Sequence, residues 1–492
     1  MTPLLFFLFT VSGVLGDLKL ASYYGDHMML QRGPQRAVMW GKATVIGDEV
    51  TVAVSGAAAV KTTVVNDPSG TEGLWKVKLP AITDPGPVTV KITSSEGEIT
   101  LSDVLFGDVW VCAGQSNMGF ALSRVMNSSA EITEALKFKN IRIFKTGQVE
   151  SPSPLEDLKN VSTPWTAPTQ DTVSAFSAVC WLFGEYLYPH RNYPIGLVES
   201  AWGGTPIEPW SSPDALAKCP QPQVSGPKNK SVVWNAMINP LLDMTIYGTL
   251  WYQGEGGMPN FYGCQFSALI QDWRQKFRAG SEGETDAAFP FGFAQLAPNM
   301  KSDDIGVFPG IRWSQTAGFG FVPNQKMPQT FMAVAMDLPD YNSPYKPIHP
   351  RYKQDVAHRL VLGARAIGYK EPNVIFRGPF PKTFSLDNDQ HTLKITYGQN
   401  NPLDVRNNHG FEVCCSSQST TKCTDTDEWV AAPITDQDTH SVSVSVAGCV
   451  SKSPVGLRYE WRKSPCDLKQ CAIYGKDTDL PAPPYIRENG FN

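Results

Sequence analysis

The stretch VWVCAGQSNMGF, Val109 to Phe120, constrains the fold more than any other part of this chain. An apolar run from Val109 to Ala113 breaks at Gly114 and is followed by Ser116, Asn117 and a new periodic segment that reaches Met126. A buried parallel strand hands over to a helix in this way, through a tight turn that leaves a hydroxyl at the strand's carboxyl end. A helix start beside that hydroxyl adds free backbone N–H groups and the positive end of a dipole. One turn can then offer both nucleophilic attack and charge stabilisation. The plainer alternative is a Ser116 that only caps the helix.

The surroundings repeat the theme. From about Asp103 to Lys370, apolar strands alternate with helical runs: IRIFKT, PIGLVESAWGG, YGTLWYQGEGG, FGFAQLA and MAVAMDL, with helices over Ser177 to Tyr188 and Phe266 to Phe277. That order predicts an α/β domain with a parallel sheet covered on both faces and its chemistry at the strand ends. Gly203 and Gly204 close one strand with bare backbone, whose N–H can approach a substrate oxygen. Gln253 closes another and can donate its carboxamide to the same oxygen, with Glu255 two residues on. Taken singly, the glycines can equally make a turn and Gln253 can satisfy loop backbone. His349 stands before Pro350, which suits the first position of a helix carrying Val356 and Leu360. His358, inside that helix, reads as a packing or surface residue.

On either side the texture is β. Asp17 to Ser102 holds short alternating strands (VTVAVSG, LWKVKL, VTVKITS) that predict a small sandwich, with His27 an ordinary surface or turn histidine. Residues 371–492 return to strands (HTLKITY, FEVCCSS, SVSVSVAG, LRYEWR) and end in LPAPPYIRENGFN, read as an extended tail laid on the body. Met1 to Gly16 has the apolar core and small-residue ending of a secretory leader, and sequons stand at Asn127, Asn160 and Asn229. In an oxidising compartment the cysteines crowding the last fifth of the chain read as disulfides of undetermined pairing. A zinc site lacks both a C-x-x-C pair and a histidine at ligand spacing. Cys112 and Cys180, in apolar runs, are equally suited to be buried free thiols. With 492 residues, a formal net charge of −5 and no basic run, the chain has room for two or three domains and no feature recommending nucleic acid or an anionic membrane.

GDVWVCAGQSNM, SAWGGTPIEPW, LWYQGEGG and IHPRYKQDVAHRL, in that order, resemble the sialate O-acetylesterases of the broad SGNH hydrolase group, and DHMMLQRG is similar to their start. The resemblance implies an SGNH-hydrolase (flavodoxin-like) three-layer α/β parallel-sheet domain over 103–370. It is flanked by β-rich accessory domains over 17–102 and 371–492. It implies Ser116 as nucleophile, His349 as general base, and an oxyanion hole from the Ser116 and Gly204 N–H groups and the Gln253 side chain, where the broader group commonly has Asn. No metal or cofactor is implied. The substrate implied is an O-acetylated sialic acid or sialoglycoconjugate, with the 9-O ester foremost, met in a lysosome or outside the cell.

Two positions depart from the pattern. Lys346 and Pro347 occupy the places where the group usually has an Asp that orients the histidine. Asp337, Asp340 or a backbone carbonyl are left for that task. Gly256 and Gly257 replace a frequent Ser-Asn. Arg312 and Arg351 lie near the strand ends and could meet a substrate carboxylate, but a salt-bridge role serves equally, and neither is assigned. The rival readings are an esterase of other acetylated carbohydrates and a secreted sugar-binding protein with a decayed site. An α/β-hydrolase lipase or peptidase is a third, but its G-x-S-x-G elbow is one residue out of step here.

Overall fold

The strand that ends at the nucleophile turn is 18 residues long, Gly97–Gly114 (β1), and its sequence changes character midway. Up to Asp103 most of its residues touch water, whereas every residue from Val104 to Gly114 is buried. One strand therefore passes from a half-solvated antiparallel setting into a sheet covered on both faces. In its first half it pairs antiparallel with Val88–Ser94, and in its second it lies between two parallel neighbours. The 102/103 position thus falls inside a continuous strand. The computed structural model describes residues 17–491 apart from 69, 71, 221–229, 388, 390, 400, 417–421, 424–426 and 451. The expected leader and the sequon at Asn229 lie outside the described residues.

The central sheet adds Ile141–Thr146 (β2), Val161–Thr166 (β3), Ile195–Ala201 (β4), Gly248–Tyr252 (β5), Phe291–Gln295 (β6) and Thr330–Val334 (β7). Their order is β3-β2-β4-β1-β5-β6-β7, parallel throughout except for the edge strand β3. From β1 the chain goes outward to β2, returns through β4, and then crosses to the other side at β5. The order reverses around β1, and clefts form at such reversals. Register sets Ala201, Gly114 and Tyr252 side by side, so β4, β1 and β5 end level with one another.

Helices cover both faces. Trp110 and Cys112 project toward Ala178–Arg191 (α1): the Trp110 ring lies 4.8 Å from Phe183, and Cys112 is joined to Cys180. Of the two alternatives that the sequence leaves open for this pair, a bond or free thiols, the structure has the bond. Alternation along β1 aims the Cys112 side chain at the first turn of α1, with the Cα atoms 5.9 Å apart, within disulfide reach. On the opposite face Trp251 meets Phe266 and Trp273 of Pro259–Gly280 (α2). Lys353–Gly363 (α3) packs beside α1. Trp110, Trp251 and Trp273 are among the largest fully buried side chains, and truncating any of them to alanine should cost about 3–5 kcal/mol.

Two local expectations fail. No α-helix follows Ser116: residues 115–119 form a turn, Leu122–Arg124 a single 3-10 turn, and an α-helix begins only at Ser128. The backbone there is committed elsewhere, with Leu122 N–H bonded to the Phe176 carbonyl and Ala178 N–H to that of Phe120. Pro350 likewise is not the first residue of a helix. Arg351 N–H donates to Asp340 Oδ2 (3.1 Å), and α3 starts only at Lys353.

Before the sheet, Val38–Ala43 and Gly73–Lys78 pair around Trp40 and Trp75, while Glu49–Val54 pairs with Val60–Thr63 and Val88–Ser94. After it, Thr392–Tyr397, Phe411–Ser416, Ser441–Ser445 and Ser453–Tyr459 form small antiparallel sheets. The Pro-rich end is part of one of them: Tyr485–Arg487 is an edge strand on Ser453–Tyr459. Disulfides Cys414–Cys423, Cys415–Cys449 and Cys466–Cys471 staple this region, and Cys219–Cys264 ties the loop before α2 to that helix. Among the described residues, no helix is long and apolar enough to cross a membrane.

Candidate active site

Gly114 makes the turn possible. Its φ is +139°, and a Cβ there would fall 2.3 Å from the Tyr252 carbonyl oxygen, so only glycine lets the chain bend over the end of β5. Gln115 N–H then bonds that same carbonyl (3.0 Å), which presents Ser116 at the top of the sheet, partly exposed. Its Oγ lies 2.8 Å from His349 Nε2, across a sequence separation of 233.

The other imidazole nitrogen is also held. His349 Nδ1 lies 2.7 Å from the Tyr345 carbonyl oxygen. A carbonyl can only accept, so Nδ1 carries the proton and Nε2 is left free to receive one from Ser116. Neither Asp337 nor Asp340 reaches the ring. Asp337 is a buried partner of Arg359 (2.6 and 2.8 Å) and of the Tyr474 hydroxyl (3.1 Å). Asp340 takes both the backbone and the side chain of Arg351. The two carboxylates anchor the start and end of the loop, and Ser343 Oγ donates to the His349 carbonyl (2.8 Å) inside it.

Gly203 lies against the nucleophile turn: a Cβ on it would come 3.3 Å from Ser116 Cβ. Gly204 follows at φ +73°, a left-handed conformation with open space beside it. Gln253 is fully buried. Its Oε1 accepts from the Tyr262 hydroxyl (2.7 Å), which turns Nε2 toward the Thr205 carbonyl (3.4 Å), one residue beyond Gly204. Gln253 Nε2 is thus held beside the turn whose Gly203 lies against Ser116.

Sequence reasoning missed the polar network beneath the turn. Asn117, adjacent to Ser116, donates through Nδ2 to the Ile348 carbonyl (2.9 Å), adjacent to His349, and also to Glu255. Its Oδ1 accepts from Lys353 Nζ (2.6 Å). Glu255 also receives Gln115 Nε2 (2.6 Å). Lys353 is completely buried against the Phe120 and Tyr252 rings, and burial brings its ammonium down to about 7. Burial raises the Glu255 carboxyl in turn. In His349, burial together with the positive Lys353, Lys346 and Arg124 lowers the imidazole below its ordinary value, partly offset by the Tyr345 carbonyl. Such a base is neutral at neutral pH and able to accept a proton.

Other candidates are structural. Arg312 spends its guanidinium on the carbonyls of Leu296, Arg462 and Lys463, joining the central sheet to the C-terminal strands. Arg351 is paired with Asp340. His358 faces solvent on α3, and His27 is an exposed partner of Asp103.

A serine hydroxyl bonded to an oriented neutral imidazole at the ends of parallel strands is the equipment of acyl transfer, and this chain is a carboxylic ester hydrolase. Residues 106–285 match the family of carbohydrate esterases described as sialic acid-specific acetylesterases, and residues 382–489 match the sialate O-acetylesterase C-terminal domain. The chain belongs to the sialate O-acetylesterase family. It is 42% identical to the sialate O-acetylesterase of Mus musculus, covering 96% of this chain and 94% of that one. It is also 42% identical to that of Homo sapiens, covering 95% and 92%. Among solved structures it is similar to a carbohydrate acetylesterase from Xanthomonas citri, with 27% identity, a TM-score of 0.80, and coverage of 96% and 99%.

Proposed function

We propose that this chain hydrolyses O-acetyl esters of sialic acids, the 9-O ester foremost, through an acetyl-Ser116 intermediate. His349 Nε2 takes the Ser116 proton as Oγ attacks the acetyl carbonyl. The tetrahedral oxyanion is held by the Ser116 and Gly204 N–H groups and by Gln253 Nε2. Collapse expels the sugar oxygen, which receives the proton from His349. Water, deprotonated by the same histidine, then releases acetate. The 2.8 Å contact between Oγ and an imidazole fixed from its far side carries this reading. The fold is read as the three-layer SGNH-hydrolase arrangement over 103–370, with accessory β domains over 17–102 and 371–492. Five disulfides and exposed sequons at Asn127 and Asn160 support a secretory route ending in a lysosome or outside the cell.

Mono- and di-O-acetylated sialic acids, incubated with the protein and with its Ser116→Ala variant, provide the test. Free sialic acid and acetate are expected from the first and neither from the second. Acetate released by a Ser116→Ala protein would overturn the nucleophile. Cleavage confined to acetylated neutral oligosaccharides would favour an esterase of other carbohydrates, the reading that the Xanthomonas citri relative supports.

A further inference from the structure

A second concave site lies apart from this chemistry. A cleft of about 590 Å³ opens between β7 and the C-terminal strands, and neither Ser116, His349 nor Gln253 lines it. Its volume is in the range that encloses a sugar-sized ligand. The wall is rich in aromatic surface from Phe321, Phe376 and Phe380, with the Phe321 and Phe380 rings 5.0 Å apart. Arg377 lies over two of these rings, its guanidinium carbon 5.1 Å from the centroid of Phe376 and 5.8 Å from that of Phe321.

Among the described residues, the Arg377 guanidinium has no carboxylate and no hydrogen-bond acceptor. Lys382, exposed in the same lining, has none either. Among the described residues no Asp or Glu lines the cleft, and Arg359, a further cation in the lining, is committed to Asp337. Asn401 is 8% exposed, holds the Arg377 carbonyl through Nδ2 (3.2 Å), and keeps a buried Oδ1 with no partner. Arg377 is an exposed residue, whereas the buried Arg142, Arg274, Arg312 and Arg359 are paired with carboxylates or bonded to carbonyls. The cleft therefore presents a guanidinium fork braced by two rings and facing unpaired into a concave, partly apolar space.

We propose that this cleft binds an anionic sugar, a carboxylate-bearing residue of a sialylated glycan, separately from the centre that cleaves the ester. The chemistry is complementary at each point. A guanidinium braced on rings suits bidentate capture of a carboxylate, Lys382 adds a second positive charge, and the phenylalanines accept the apolar C–H face of a sugar ring. The identity of the sugar rests on the sialic-acid reading above; the positive, aromatic character of the cleft does not. A glycoconjugate held here as well as at Ser116 would be bound at two points, and its effective concentration at the ester-cleaving site would rise.

The test separates binding from hydrolysis. An unacetylated sialyl oligosaccharide is titrated calorimetrically into the full-length Ser116→Ala protein and into the same protein carrying Arg377→Ala and Lys382→Ala. Binding should weaken about tenfold or more in the latter, the usual effect of removing charge-assisted hydrogen bonds. On the active background, Arg377→Ala with Lys382→Ala should leave kcat and the hydrolysis of p-nitrophenyl acetate unchanged while raising KM for an O-acetylated sialoglycoprotein. Equal binding with and without the two cations overturns the inference, as does equal binding of a neutral oligosaccharide of the same length. The ligand carries no ester, so a failure of the sialate-esterase reading shows in the hydrolysis assays alone and is distinguishable from a failure here.

Discussion

Asn117→Ala tests whether the two halves of the catalytic pair are held in register by one amide. Asn117 follows Ser116 in the chain, and its Nδ2 grips the carbonyl of Ile348, the residue before His349. Removing it deletes one neutral hydrogen bond, worth about 1 kcal/mol, and bonds to Glu255 and Lys353, worth about 1.5–3 kcal/mol each when those groups are charged. A stability loss of about 4–7 kcal/mol is the ceiling. It is bounded because Lys353, which burial already brings to about 7, can shed its proton when its acceptor is lost. The effect on catalysis should be larger in proportion. The Oγ to Nε2 contact is 2.8 Å, and a drift of about 1 Å in either loop typically costs 10²-fold in rate. The assay is kcat and KM on p-nitrophenyl acetate at a temperature where chemical denaturation shows the variant to be folded, with active sites counted by a fluorophosphonate. We expect kcat to fall about 10²-fold and KM to change little. A folded variant with undiminished kcat would refute the idea that this side chain sets the geometry.

The remaining predictions concern the base, the oxyanion site and the staple under β1. Because His349 acts while neutral and its pKa is lowered, activity should persist through neutral pH and fall on the acid side with a midpoint below about 6.5. Lys353→Met, which removes one of the positive neighbours, should move that midpoint upward in a pH–kcat/KM profile; a shift downward would contradict the assigned cause. Gln253→Ala should lower kcat by about 10²–10³ in steady-state kinetics, and a loss appearing only in KM would remove it from the oxyanion site. Converting both Cys112 and Cys180 to serine frees a 68-residue span and should cost about 4 kcal/mol in chemical denaturation, while intact stability would show that the bond adds little.

What could be read in the sequence was what side chains and periodicity encode. Apolar runs ending in glycine mark β1, β4 and β5, and the register sets the ends of these strands level with one another. Contributions made by the main chain left no trace. A carbonyl at Tyr345 has no residue signature, so a search for the partner of His349 turned to Asp337 and Asp340, which tertiary ion pairs had already claimed. Lys353 was equally silent: in the string it resembles any solvated lysine at a helix start, and its burial follows only from the rings of Phe120 and Tyr252 folding over it. The helix expected after Ser116 failed because backbone pairing with residues 176–178 outweighed local periodicity, a long-range choice that no short window contains.

The Tyr345 carbonyl also bears on how much a third catalytic member has to do. In a serine triad the carboxylate selects the imidazole tautomer and stabilises the imidazolium formed during attack. A carbonyl performs the first task as well, since it cannot donate and forces the proton onto Nδ1. It performs the second less well, because a neutral dipole offsets less charge than a carboxylate. Burial lowers the pKa of His349 first, the positive neighbours Lys353, Lys346 and Arg124 lower it further, and the Tyr345 carbonyl only partly offsets them. The arrangement thus gives up some basicity and keeps the imidazole neutral further into the acid range. For an ester, whose alkoxide leaving group departs more readily than an amine, a weaker base suffices. The two carboxylates that could have served as a third member are more useful as anchors, because a loop that carries the base without a charged partner must have its position set by other bonds.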